Sequence, residues 1–201
     1  MHPPFISWFT GIDMDIQKEI VAVLFFVFVV IRLFYGRGKD ERKRFHHSRE
    51  LLLTAIFTCT LIASFLTYFS QPSPVFPLQY PLWIIFLGCF LGVCGNILLL
   101  WVHHCLGTNF SPHLEIRSDH KLIQNGPYRY IRHPMYTSGY LFLLGCGIIS
   151  QDGLLLFPPI FTFSILLFFR LRDEEVMLEE KFGEDWLMYT KTTAKIIPKI
   201  W

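Results

Sequence analysis

The sequence predicts an all-α integral membrane protein of five transmembrane helices, the last two a tight helical hairpin, with a C-terminal cytosolic amphipathic helix. Three observations point there. Hydrophobic residues make up 52% of the 201-residue chain and charged residues only 17%, against roughly a quarter in soluble domains. The apolar residues, 21 Phe among them, gather in five runs near the length a bilayer needs. Lys and Arg concentrate in alternate connections, as the positive-inside rule requires of a chain that crosses back and forth.

The first run is IVAVLFFVFVVIRLFY (20–35), with Arg32 near its end, where a long side chain can reach the interface. Acidic residues (Asp13, Asp15, Glu19) precede it instead of a basic region, which argues against a signal peptide. LLLTAIFTCTLIASFLTYF (51–69) and YPLWIIFLGCFLGVCGNILLLWV (80–102) are the second and third runs. MYTSGYLFLLGCGIIS (135–150) and GLLLFPPIFTFSILLFF (153–169) are separated only by Gln151 and Asp152, which forces a hairpin. The loop 36–50, the loop 103–134 and the tail from Arg170 are basic, while 70–79 has no Lys or Arg. The N-terminus is therefore expected outside and the C-terminus in the cytosol. Five cysteines lie in or beside apolar runs without zinc-like spacing and read as small buried hydrophobes. His46 and His47 belong to the basic loop. His103, His104 and Cys105 are adjacent on a helix and point in different directions, so they do not read as a metal site.

This topology divides the chain into a three-span region, 1–104, and a region 105–201 whose loop and tail share one membrane face. Arg170 and Glu174, four apart, share a helix face, as do Arg172 and Glu175, three apart. Leu171, Leu178 and Phe182 form an apolar stripe, Gly183 is the expected stop, and Trp186 and Tyr189 suit an interfacial aromatic belt. Pro134 fits the first turn of a helix, where its missing N–H is no loss. The free N–H groups that follow, with His133 and Arg132, would hold an anion. Glu174 on the other segment would hold an ammonium. An anion seat facing a cation seat suits a zwitterion such as an amino acid, and Tyr128 and Tyr136 would enclose an aromatic ring. Read singly, the Arg/Glu pairs are equally well interfacial anchors with solvated partners, and His133 a cap.

GPYRYIRHPMY, a helical hairpin, then RLRDEEVMLEEKFGEDWLMY resembles the isoprenylcysteine carboxyl methyltransferase family, over roughly residues 105–201. The short five-span form looks like its prokaryotic members, which implies a prokaryotic inner membrane. The resemblance implies S-adenosylmethionine as cofactor, a lipophilic methyl acceptor entering from the bilayer, membrane lipids as surroundings, and neither nucleic acid nor metal. It implies that His120, Lys121, Leu122 and Ile123 line the cofactor site, with Tyr128, the His133, Pro134, Met135 and Tyr136 element, and Glu174. It makes Arg170 the catalytic residue facing the acceptor carboxylate. Glu115 aligns near the cofactor across a gap, and Arg132 fits the pattern but also suits a headgroup anchor. Related proteins methylate lipid amines or small thiols. The RDEE and IPKIW stretches also look like NADPH-dependent membrane sterol reductases, and a non-enzymatic membrane protein is the remaining reading.

Overall fold

The computed structural model describes residues 12–35, 47–107 and 121–198. Six α-helices appear there: α1 (Met14–Tyr35), α2 (His47–Ser70), α3 (Leu82–Leu106), α4 (Pro134–Ser150), α5 (Gly153–Phe182) and α6 (Glu184–Thr192). A 3-10 turn, Gly126–Arg129, precedes α4. Three helices, α2, α3 and α5, are long and apolar enough to cross a membrane by length and composition. The other two apolar segments are less typical. α1 opens with charged residues, and α4 has 17 residues, roughly 26 Å. The chain is an integral membrane protein, and its outward Phe, Leu, Ile and Val side chains belong to the lipid boundary.

α4 can be short because it is enclosed. It lies against α3 through small residues, whose lack of bulk lets two backbones approach in a medium where helix association relies on packing. A Cβ added at Gly145 would stand 2.5 Å from the Gly92 backbone nitrogen, and one at Gly95 would stand 2.8 Å from that of Phe142. α1 joins this pair through Asn96, whose side-chain amide donates to the Leu24 carbonyl at 3.2 Å. Phe25 packs on Phe65 of α2 and Phe28 on Phe142 of α4. α2 lies along α5, with Phe57 against Phe163.

The hairpin between α4 and α5 is fixed at the membrane side away from the tail. Asp152 is fully buried and caps α5, accepting from the Leu154 N–H at 2.9 Å. It also accepts from the backbone N–H groups of Val75 and Phe76, at 2.8 and 3.1 Å, and so ties the α2–α3 loop to the hairpin. Gln17 of α1 donates to Gln151 at 3.0 Å.

At its other end α5 outruns the membrane. Its 30 residues span roughly 45 Å, against a hydrocarbon core of about 30 Å. Arg170 stands roughly 26 Å from its start, at the boundary, and the charged turns beyond project from it. Gly183 ends the helix where the sequence expects it, its N–H donating to the Glu179 carbonyl. Gly145→Val should push α3 and α4 apart at a cost of about 2 kcal/mol, roughly a 5 °C fall in the unfolding midpoint in detergent micelles. An unchanged midpoint would contradict the close-packed interface.

Candidate functional site

The site is built where the entry to α4 meets the projecting end of α5. Pro134 takes the first helical position of α4 and His133 its N-cap, as the sequence predicts. The 3-10 turn carries Tyr128 into the interior. Gly126 opens that turn at φ +58 and lies so close to α3 that a Cβ would meet Cys105 Sγ at 2.4 Å, a place for glycine alone.

Three side chains gather around Glu174. Tyr136 donates its hydroxyl to Glu174 Oε2 at 2.5 Å, and His133 Nδ1 lies 3.7 Å from the same oxygen. Tyr128 is buried close by, and burial together with the Glu174 charge holds its phenol protonated, well above its ordinary range. Glu174 thus keeps one carboxylate edge oriented, with its side chain still 32% exposed. That is the donor set an ammonium group needs: a carboxylate fixed in advance and reachable from solvent.

Arg170, one turn back on the same face, is hydrogen-bonded with Tyr136 and pairs with Glu50 of α2, Nη1 to Oε1, at 3.3 Å. Both side chains of that pair are largely buried. Arg49, next to Glu50, pairs with Asp173 at 2.5 Å. The first turn of α2 is therefore docked on α5 by charge.

Glu175 makes a second cluster. Its Oε1 accepts from Arg132 Nε and Nη2, at 3.3 and 3.2 Å, and lies 3.4 Å from His133 Nε2. Its Oε2 pairs with Lys195 at 2.5 Å. Arg132 also donates to the backbone carbonyls of Thr190 and Thr193. The main chain joins in: the Arg132 and His133 N–H groups donate to the Ala194 and Lys195 carbonyls at 2.8 and 3.1 Å. Thr137 Oγ1 donates to the Ile196 carbonyl at 2.7 Å, and Tyr189 donates to the Tyr128 carbonyl at 2.5 Å. The tail after α6 is a strap laid across the start of α4.

Several expectations change here. Trp186 and Tyr189 do not form an outward aromatic belt. They are buried, because α6 turns its apolar face onto the 3-10 turn instead of the lipid. Glu175 turns to Arg132, His133 and Lys195 rather than pairing within its own helix with Arg172, which is exposed. Arg132 is no headgroup anchor, since its guanidinium is spent on Glu175 and the strap. Arg32 turns inward, donating to Met135 Sδ at 3.3 Å. His103 is fully buried and stacks on Tyr35 at 4.9 Å, while His104 is exposed, so the two do point apart.

The structure brings Tyr128, His133, Pro134, Met135, Tyr136, Arg170 and Glu174 to one place. Lys121, Leu122 and Ile123 lead into the 3-10 turn as non-helical chain, Lys121 exposed and the other two half-buried. His120 and Glu115 lie outside the described residues. Reading along the sequence missed Glu50 and Arg32, which arrive from distant helices.

Residues 83–185 match the model of the phospholipid methyltransferase family. Among curated proteins, the protein-S-isoprenylcysteine O-methyltransferase of Tribolium castaneum is 30% identical over 150 residues, covering 72% of this chain and 52% of that protein. The Saccharomyces cerevisiae protein of the same name is 32% identical over 118 residues, covering 57% and 48%. The chain thus spans about half the length of these relatives. Among solved structures it resembles the eukaryotic intramembrane Ras methyltransferase ICMT, with a TM-score of 0.59 and 21% identity, covering 94% of this chain and 68% of that one. This likeness shows the fold.

Arg132→Gln should free the strap. Losing charge-assisted bonds at this half-buried cluster costs about 2 kcal/mol locally, or roughly thirtyfold faster amide exchange in 131–137 and 193–196. Hydrogen exchange read by mass spectrometry checks it, and unchanged protection there would refute the coupling.

Proposed function

The chain belongs to the phospholipid methyltransferase family, and from that premise we propose that it is an S-adenosylmethionine-dependent methyltransferase whose acceptor is the carboxylate of a prenylcysteine or similar lipophilic molecule. One observation carries this reading: Glu174, oriented by Tyr136, and Arg170, already seating a carboxylate, stand one helical turn apart at the membrane boundary. The first suits the ammonium of a methionine moiety, the second an acceptor carboxylate.

The residues fit the cofactor's polar end. Glu174 would hold its ammonium, and the start of α4, where the Tyr136 N–H is already given to the His133 carbonyl, would offer its carboxylate the Met135 N–H and the helix dipole. Tyr128, Met135 and Tyr136 would enclose the remainder, with His120, Lys121, Leu122 and Ile123 along the preceding chain. When bound, S-adenosylmethionine supplies the methyl group as an electrophile. The protein's own part is placement. A carboxylate is already ionised at neutral pH and needs no general base, so Arg170 has only to orient it, bidentately, in line with the methyl carbon. The burial of Arg170 and the partial burial of Glu174 lower the local dielectric and strengthen both contacts.

We also take α1 and α4 as the remaining two crossings. α1 has 22 residues, roughly 33 Å, and α4 is shielded by its neighbours. With the basic connections inside, Arg170, Glu174 and the strap face the cytosol and the N-terminus lies outside. This is the short form of the prokaryotic members, with 105–201 as the methyltransferase region. The acceptor reaches Arg170 from the bilayer and the cofactor arrives from the cytosol.

Glu174→Ala should weaken S-adenosylhomocysteine binding about thirtyfold, the loss of one charge-assisted contact of about 2 kcal/mol. Unchanged binding, or stabilisation by NADPH instead, would overturn the cofactor assignment. Arg170→Ala should abolish labelled-methyl transfer to a prenylcysteine analogue while keeping cofactor binding; equal loss of both would count against its acceptor role. Transfer by the unaltered protein into a phospholipid amine or a thiol, but not into the prenylcysteine, would replace the acceptor class.

A further inference from the structure

Glu174 has a role in the proposed site, and its neighbour Glu175 has none. The two carboxylates meet at one imidazole. His133 lies between them with its side chain 2% exposed, Nδ1 toward Glu174 and Nε2 toward Glu175. The ring is not free to turn. The His133 backbone N–H is held by the Lys195 carbonyl, and the ring face stacks on Tyr136 at 5.8 Å.

The two ring nitrogens stand in different circumstances. Nε2 lies within hydrogen-bond reach of Glu175 Oε1, at 3.4 Å. Nδ1 lies 3.7 Å from Glu174 Oε2, beyond that reach. Glu175 is ionised: burial pushes its carboxyl up, but hydrogen bonds from His133 and Lys195 outweigh this and hold it down at about 2. An ionised carboxylate only accepts, so the bond to Glu175 needs its hydrogen on Nε2. In a neutral imidazole, a hydrogen on one nitrogen leaves a lone pair on the other. That lone pair then stands on Nδ1, beside the Glu174 oxygen that accepts from Tyr136. Two acceptors side by side are unfavourable until a donor comes between them. An ammonium, with three hydrogens and no lone pair, is such a donor.

We infer that Glu175 is a positioning residue of the cofactor site: by holding the hydrogen of His133 on Nε2, it presents the Nδ1 lone pair beside Glu174 as a second acceptor for the ligand's ammonium. This rests on the proposed cofactor reading and adds to it a residue that itself touches no ligand. Arg132 and Lys195 share Glu175 with His133, and so tie this setting of the ring to the strap. Without the charge of Glu175 the hydrogen would pass to Nδ1, where Glu174 is the better acceptor. The ring would then compete with the ammonium for Glu174 instead of joining in its recognition.

The test compares S-adenosylhomocysteine with its deaminated analogue, which lacks only the ammonium, by equilibrium binding to the full chain in lipid nanodiscs at neutral pH. The unaltered protein should prefer S-adenosylhomocysteine. Glu175→Gln, which keeps the size and removes the charge, should cut the ratio of the two affinities about tenfold. Lys195→Met, which loosens the strap but leaves Nε2 its partner, should keep the ratio. Equal weakening of both ligands by Glu175→Gln would make Glu175 merely structural, and an equal fall of the ratio in Lys195→Met would give the effect to the strap; either result overturns the inference. If Glu175→Gln binds neither ligand, nitrogen NMR of the histidine-labelled unaltered protein still decides. With S-adenosylhomocysteine bound, the His133 signal, assigned by its loss in His133→Gln, should show a hydrogen on Nε2 and none on Nδ1. A hydrogen on Nδ1 would sink the proposal. A failure of the underlying reading looks different: the unaltered protein would bind neither ligand, or would bind both equally.

Discussion

Glu175 is the carboxylate on which three separate pieces of chain converge. It belongs to the projecting end of α5, yet its partners are Arg132 and His133, before α4, and Lys195, beyond α6. Remove its charge, and Arg132 and Lys195 face each other with nothing between them. The start of α4, the end of α5 and the strap would lose their common anchor, and His133 its orientation. Glu174, the next residue, lies beside the other nitrogen of the same imidazole and accepts from Tyr136. The neighbouring carboxylates divide the labour: Glu175 holds the frame and Glu174 meets Tyr136 with part of its side chain exposed.

The membrane boundary explains why so much charge is spent in so small a space. Arg170 lies at the depth where the dielectric falls, and a guanidinium there demands a partner. Glu50 meets that demand from α2, with Arg49 and Asp173 docking the same turn from outside. The result is an ion-paired rim over an apolar interior of Phe, Leu and Tyr. Charged and apolar surroundings therefore lie within one helix turn of each other.

The opposite end of the molecule is organised by Asp152, which is buried with its oxygens taken by three backbone N–H groups. This staple sets the angle of the α4–α5 hairpin, and the glycine contacts of α3 and α4 carry that angle up the bundle. The reach of α5 then places Arg170 and Glu174 beside His133. Their meeting depends on contacts roughly a membrane's thickness away.

Much of this was legible in the sequence, for definable reasons. Apolar runs report helices, and two residues between two runs leave only a hairpin. Pro134 reports a helix start, and the four-residue spacing of Arg170 and Glu174 reports a shared face. Those local rules placed His133, Tyr136 and Glu174 together correctly. They failed where a side chain chooses between surroundings that the chain order does not specify. Trp186 and Tyr189 have the pattern of an interfacial belt but are buried, Tyr189 donating to the Tyr128 carbonyl, and Arg32 has the position of an anchor but turns inward to Met135. Glu50 gave no signal, and the spacing of Glu175 pointed to Arg172 instead of Arg132, His133 and Lys195, because charge pairing across a bundle has no period in the sequence. The sequence by itself determined the helices, their order and the chemistry available at one membrane face. Only the tertiary structure decided which charges meet, since that depends on how closely helices distant in the chain can approach and on the cost of leaving any one charge alone at the edge of the lipid.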